Sequence, residues 1–226
     1  MKTVHLAITL LLVTVAFSSC NDNATETNNA SNIGFVQIGN QKWMAKNLDI
    51  TTYRNGDPIR YAPLASEWVD AGSKGEGAYC IFESKTALAT TYGLIYNWYA
   101  VNDPRGLAPQ GWHVPSDEEW TSLEVYLGGV GAGGKLKATG TREAGSGLWN
   151  SPNLGATNET RFSALPGGFR NLVGTPYAIY LGSYFWTSTK FNSVLSWYRL
   201  LNSADANITK NSSSPILGCY VRCVKD

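Results

Sequence analysis

One stretch gathers most of the side chains that could do acid–base or metal chemistry. It is "GWHVPSDEEWTSL", beginning at Gly111, in which His113 precedes Asp117, Glu118 and Glu119. An imidazole beside carboxylates can move a proton or hold a cation. The same spacing also writes the start of a helix. Ser116 and Glu119 form a capping box, each side chain serving the other's backbone N–H. Asp117 and Glu118 fall in the first turn, where negative charge meets the positive end of the helix dipole. Gly128–Gly129 ends the helix after Leu127, and Trp120, Leu123 and Leu127 share one face. The expectation is a helix whose first two acids point away from the body. His113 is then a packed or hydrogen-bonded loop residue, out of chelating register with them.

The thiols are a second candidate centre. Beyond Cys20 the chain carries Cys80, Cys219 and Cys223. "GCYVRCV" reads as a strand, which separates its two cysteine Cα atoms by roughly 13 Å, too far for a bridge. In an oxidising compartment Cys80 then pairs with one of the two, Cys223 being favoured over Cys219. CxxxC with one more thiol and a lone histidine is poor zinc spacing. No redox pair stands out, and "GSG" at Gly145 lacks the frame of a nucleophile elbow. No catalytic residue, metal or cofactor is therefore expected. An enzyme with a concealed site on the C-terminal loops is the alternative.

Binding without chemistry has better candidates. "SWYRLLNSADANITKNSSSP" alternates aromatic residues with Asn, Ser, Arg and Lys. Rigid rings give contact area, and amides and hydroxyls give adaptable hydrogen bonds. The nominated site is Trp149, Asn150, Tyr198, Arg199, Asn202, Asn207, Lys210 and Asn211. Against it stands a plainer reading, in which Trp186, Trp197 and Tyr198 are core and the Asn/Ser run is a solvated loop.

These residues need a scaffold and an address. Lys2, an apolar run from Val4 to Phe17 and "SSC" ending at Cys20 read as a secretory signal over residues 1–19, with Cys20 as the lipidated residue. Several acyl chains would anchor the protein firmly, since one alone binds marginally. Residues 20–33 are polar without an aromatic and read as a flexible tether, leaving one globular domain over 34–226. Acids and bases nearly balance, with 18 Lys and Arg against 17 Asp and Glu, which argues against a nucleic-acid partner. A hairpin is expected from Gly34 to Leu48, turning at Gly39–Asn40. Residues 50–77 read as a long irregular excursion, and "AYCIF" as a short strand. "YGLIYNWYAV" from Tyr92 is a buried strand or a short helix. "GGKLKATG" from Gly133 reads as a second short helix, followed by loops and short strands that include "YFWTST", "SWYRLL" and "YVRCV".

In order and spacing, "QKWMAKNL", "YGLIYNWYAV", "GWHVPSDEEWTSL", "GGKLKATG", "WNSPNLGATNETRFSALPGGFRN", "YFWTST" and "YVRCVKD" resemble one family, the Fibrobacter succinogenes major paralogous domain, over nearly all of residues 34–226. The resemblance implies an α+β, C-type-lectin-like fold: two main helices packed on small antiparallel sheets, with long loops on one side. It implies an envelope surface location and no established activity. Ala108 stands where the family often has a cysteine and Cys219 is additional, so a family-wide bridge would be moved here. "WNSPN" from Trp149 has the Trp, Asn and Pro of a calcium-lectin motif but no carboxylate, so calcium-dependent sugar binding by that route is not expected. The combined expectation is a lipid-anchored, non-catalytic binding module on the outer-membrane surface. Its partner would be a glycan or an outer-membrane protein; a purely structural part in a nutrient-import complex is the other possibility.

Overall fold

The computed structural model describes residues 33–226. The expected signal, the lipidated Cys20 and the tether up to residue 32 lie outside the described residues.

The N-terminal hairpin forms as its alternation requires. β1 (Phe35–Ile38) and β2 (Gln41–Met44) pair with Ile38 opposite Gln41. The turn places Gly39 at φ +57°, in the left-handed region where glycine carries no Cβ penalty. β2 also pairs with β13 (Val224–Lys225), which pairs with β6 (Trp112–His113), giving the order β1-β2-β13-β6. A second sheet orders β3 (Arg60–Tyr61), β4 (Ala78–Cys80), β5 (Ile95–Asn97), β12 (Gly218–Cys219), β7 (Phe169–Arg170) and β8 (Pro176–Tyr177). The third is a meander of β9 (Gly182–Lys190), β10 (Ser196–Asn202) and β11 (Thr209–Ser213). All the ladders are antiparallel except β3–β4.

The helices are α1 (Ala65–Ser73), α2 (Thr86–Tyr92), α3 (Trp98–Val101), α4 (Asp117–Tyr126) and α5 (Ala132–Leu136). The architecture is thus mixed α+β, with several sheets and a few short helices. α4 begins as its capping box dictates: Glu119 N–H donates to Ser116 Oγ at 3.1 Å, and Ser116 N–H to Glu119 Oε2 at 2.7 Å. Trp120, Leu123 and Leu127 are buried, and α5 lies where "GGKLKATG" places it. α1 corrects the irregular excursion. Glu67 accepts from the Leu64 N–H at its start, and Trp68 and Ala71 are buried, but so short a run among turn formers shows no clear period.

"YGLIYNWYAV" is both of the things it resembles. β5 ends at Asn97, whose Oδ1 accepts from the N–H groups of Ala78 and Ala100, joining β4 to the first turn of α3. "YVRCV" is not one strand. Between β12 and β13 the chain bonds to three other segments: Trp186 N–H to Tyr220 O, Leu48 N–H to Val221 O, and Met44 N–H to Cys223 O.

The core is two aromatic clusters. One holds Trp43, Trp68, Trp120, Trp149, Phe162 and Phe185; the other holds Tyr96, Trp98, Trp112 and Trp186. Trp43 and Trp120 meet edge to face at 4.7 Å between ring centroids, an arrangement that suits the ring quadrupoles. Beside the first cluster a lysine is fully buried. Lys137 Nζ donates to the carbonyls of Leu154, Asn202 and Asp205 at 2.9, 2.8 and 2.7 Å.

The expected Cys80–Cys223 disulfide is not formed; all three described cysteines are free and buried. Cys80 belongs to the first cluster, and Cys219 and Cys223 to the second. β5 also lies between Cys80 and Cys219, so two interstrand spacings, roughly 10 Å, exceed what a disulfide spans. Burial pushes the Cys80 thiol up to about 11, against the opposing pull of Arg170, and raises Cys219 and Cys223 as well.

Candidate functional site

His113 is hydrogen-bonded, as expected, but from a strand and to two acids. β6 carries it to a point where Nε2 lies 2.8 Å from Glu119 Oε1 and Nδ1 lies 2.7 Å from Asp226 Oδ1. The carboxylates sit on opposite ring nitrogens, so they do not converge on a common cation. The Ser116 hydroxyl donates to Glu119 Oε2 at 3.0 Å, so it is turned to the carboxylate and not to the imidazole. The arrangement is a clamp between α4 and the C-terminal strand. Burial opposes protonation of His113, but the hydrogen bonds to Asp226 and Glu119 outweigh it and raise its pKa. A raised histidine stabilises fully below its unfolded value of about 6.5, and that contribution is lost as pH climbs through the folded value. Urea unfolding should therefore show a loss of up to about 1 kcal/mol between pH 6 and 8.5, modest because the pair is solvent-screened. A His113→Gln variant losing the same amount over that interval would contradict the assignment.

Asp117 also departs from expectation, turning inward to a buried charge network. Arg199 Nη2 and Nε reach its Oδ1 at 2.7 and 3.1 Å, and Lys210 Nζ reaches its Oδ2 at 2.6 Å. Arg199 also donates to Glu124 and to Thr121. Two of the nominated binding residues, Arg199 and Lys210, are thus ties from β10 and β11 to α4.

The other nominated residues are scattered. Trp149 is 0% exposed, its Nε1 donating to Ala164 O. Asn150 accepts from Arg142 on a loop. Tyr198 packs on Tyr184 and Trp186, on the opposite face of β10 from Arg199. Asn211 faces Tyr198 across the ladder and is exposed. Asn202 Oδ1 accepts from the Ala204 and Asp205 N–H groups, closing the β10–β11 turn, and Asn207 Oδ1 accepts from Gly131 N–H ahead of α5. The structure does not bring these eight together as one surface; of the plainer reading, Trp186 is core and Tyr198 packs against it, whereas Trp197 is only half-buried and Thr209–Ser213 of the Asn/Ser run is a strand, not a loop.

A concave surface lies elsewhere. The segment after β2, from Ala45 to Thr51, forms one wall of a groove of about 730 Å³. The β3–β4 pair, α2 and the loop around Ser163 form the rest. The parallel register sets Tyr61 beside Tyr79, with ring centroids 5.2 Å apart and planes tilted by 34°. Tyr61 is 43% exposed. Thr51, Thr90, Thr91 and Ser163 supply hydroxyls along the walls, and Lys46 and Asp49 supply one charge of each sign.

Arg222 also lines this groove, yet it is only 2% exposed. Its Nε donates to Asn47 Oδ1 at 2.8 Å, and its Nη1 to the carbonyls of Met44 and Phe162 at 3.1 and 2.8 Å. The guanidinium lies 4.4 Å from the Phe162 ring centroid. Burial pulls its pKa down to about 9, partly opposed by Cys223, so it stays charged at neutral pH. None of these groove residues was nominated from the sequence. The one available signal was an arginine inside the otherwise apolar run "CYVRCV", a charge that a buried segment has to satisfy.

Among the described residues, no group of three or more His, Cys, Asp or Glu could hold a metal ion, and no helix is long and apolar enough to cross a membrane. Residues 36–225 match the family model of the Fibrobacter succinogenes major domain. No curated protein and no solved structure matches the chain.

Proposed function

The chain belongs to the Fibrobacter succinogenes major domain family, and we propose that it is a non-catalytic glycan-binding module, held on the outer-membrane surface by a lipid on Cys20. The observation that carries this reading is the Tyr61–Tyr79 pair on the rim of the groove. Exposed tyrosine faces stack on the C–H faces of a sugar ring, and phenol, threonine and serine hydroxyls bond its hydroxyl groups. A C-type-lectin-like arrangement goes with this reading, since strands from the two ends of the described chain, β1 and β13, flank β2 in one sheet.

Binding without catalysis is supported by the state of His113. Both of its ring nitrogens are engaged, and it sits in a different sheet from Tyr61 and Tyr79. A protein partner is the second reading. It is favoured by Leu172, Val173 and Tyr177, exposed on and between β7 and β8.

A glycan array followed by calorimetry tests the first reading. Tyr61→Ala should weaken the best glycan about 10-fold, the equivalent of roughly 1.4 kcal/mol, while leaving stability nearly unchanged because the ring is exposed. An array without hits, or a hit indifferent to Tyr61, would overturn the glycan reading and favour the protein partner.

A further inference from the structure

Three cations are almost wholly buried with no carboxylate of the described residues within 4 Å, and one of them is incomplete. Lys137 gives its three N–H groups to three carbonyls. Arg170 is equally settled: its Nε, Nη1 and Nη2 each donate to a carbonyl, of Gly174, Ala62 and Pro63. Arg222 spends Nε and Nη1 on Asn47, Met44 and Phe162, but its Nη2 takes no partner among the described residues. Those bonds, and the Phe162 ring beneath, fix the guanidinium in place. Nη2 is the nitrogen those bonds leave over, on a side chain that lines the groove.

A buried charge without a counter-charge is costly, and a fixed, incompletely bonded guanidinium at a groove wall is a preorganised anion receptor. We infer that the groove accepts an anionic sugar, its charged oxygen meeting Nη2 of Arg222 while a ring face lies on Tyr61 and Tyr79. The inference rests on the glycan reading and adds the charge of the ligand to it. Asp49 on the same groove disfavours a second anionic group, and Lys46 offsets it, so one charge per bound stretch fits better than a polyanion lying along the groove.

The test titrates the full chain by calorimetry with a uronic-acid oligosaccharide, its methyl ester and a sulfated oligosaccharide of equal length. In parallel, the Arg222 Nε–H signal is followed by NMR in the unaltered protein. The acid should bind at least about 10-fold tighter than its neutral ester, the scale of one charge-assisted hydrogen bond, and should move the Arg222 signal. Arg222→Gln should abolish that preference. The comparison of acid and ester in the unaltered chain stands even if this variant does not fold. Tighter binding of the sulfated sugar alone would assign the anion as sulfate and still support the inference. Equal affinity for all three sugars, or a preference for an anionic sugar with a stationary Arg222 signal, overturns the anion site while leaving the aromatic groove intact. No binding of any of the three, with an empty array, overturns the glycan reading itself.

Discussion

Replacing Arg199 with alanine should destabilise the protein by about 3–5 kcal/mol, because it strands a buried carboxylate. Asp117 is buried at the first turn of α4 and takes two of its hydrogen bonds from Arg199. Lys210 remains within 2.6 Å of the other carboxylate oxygen, which holds the loss toward the lower end. Glu124 is more exposed and can rehydrate. Adding Asp117→Asn should restore part of the loss, since the stranded charge is then gone; that coupling is the mark of a shared network. Denaturant unfolding of the two single variants and the double variant measures it. A loss below about 1 kcal/mol for Arg199→Ala would mean that water replaces the guanidinium and that the network is not closed.

Lys137→Met should have a comparable effect by a different route. The methionine keeps the unbranched stem, one atom shorter, and removes a buried charge, which by itself favours folding. It also leaves three carbonyls, those of Leu154, Asn202 and Asp205, without their donor. At about 1–2 kcal/mol for each, the unmade bonds outweigh the relief, and a net loss of about 3 kcal/mol follows. These carbonyls lie on the loop after Trp149 and on the β10–β11 turn, so amide exchange should speed up there first. Uniform exchange across the domain would argue that the lysine is not a local tie.

What the sequence made legible follows from distance along the chain. The cap of α4, its acidic first turn and its terminating glycines lie within one short stretch, and the structure realises them residue by residue. The hairpin of β1 and β2 is equally local. Asp117 was misplaced because the partner that turns it inward, Arg199, is far away in the chain. Trp149 was read as accessible because it sits among loop formers, but packing in the first cluster claims the ring completely. The cysteines were paired on compartment and spacing, and nothing in either shows that they belong to different clusters. The groove is the extreme case. Its walls come from segments running from Ala45 to Arg222, and no periodicity joins them.

β12 and β13 are made after every strand they bind, yet each holds an interior position in its sheet. Until residues 218–225 leave the ribosome, β2 has no neighbour on its far side and β5 none toward β7; only the β9–β11 meander is complete. A nascent chain with two of its three sheets open cannot lock prematurely. The order in which the strands are laid down therefore leaves those two sheets without a central strand until residues 218–225 have been made.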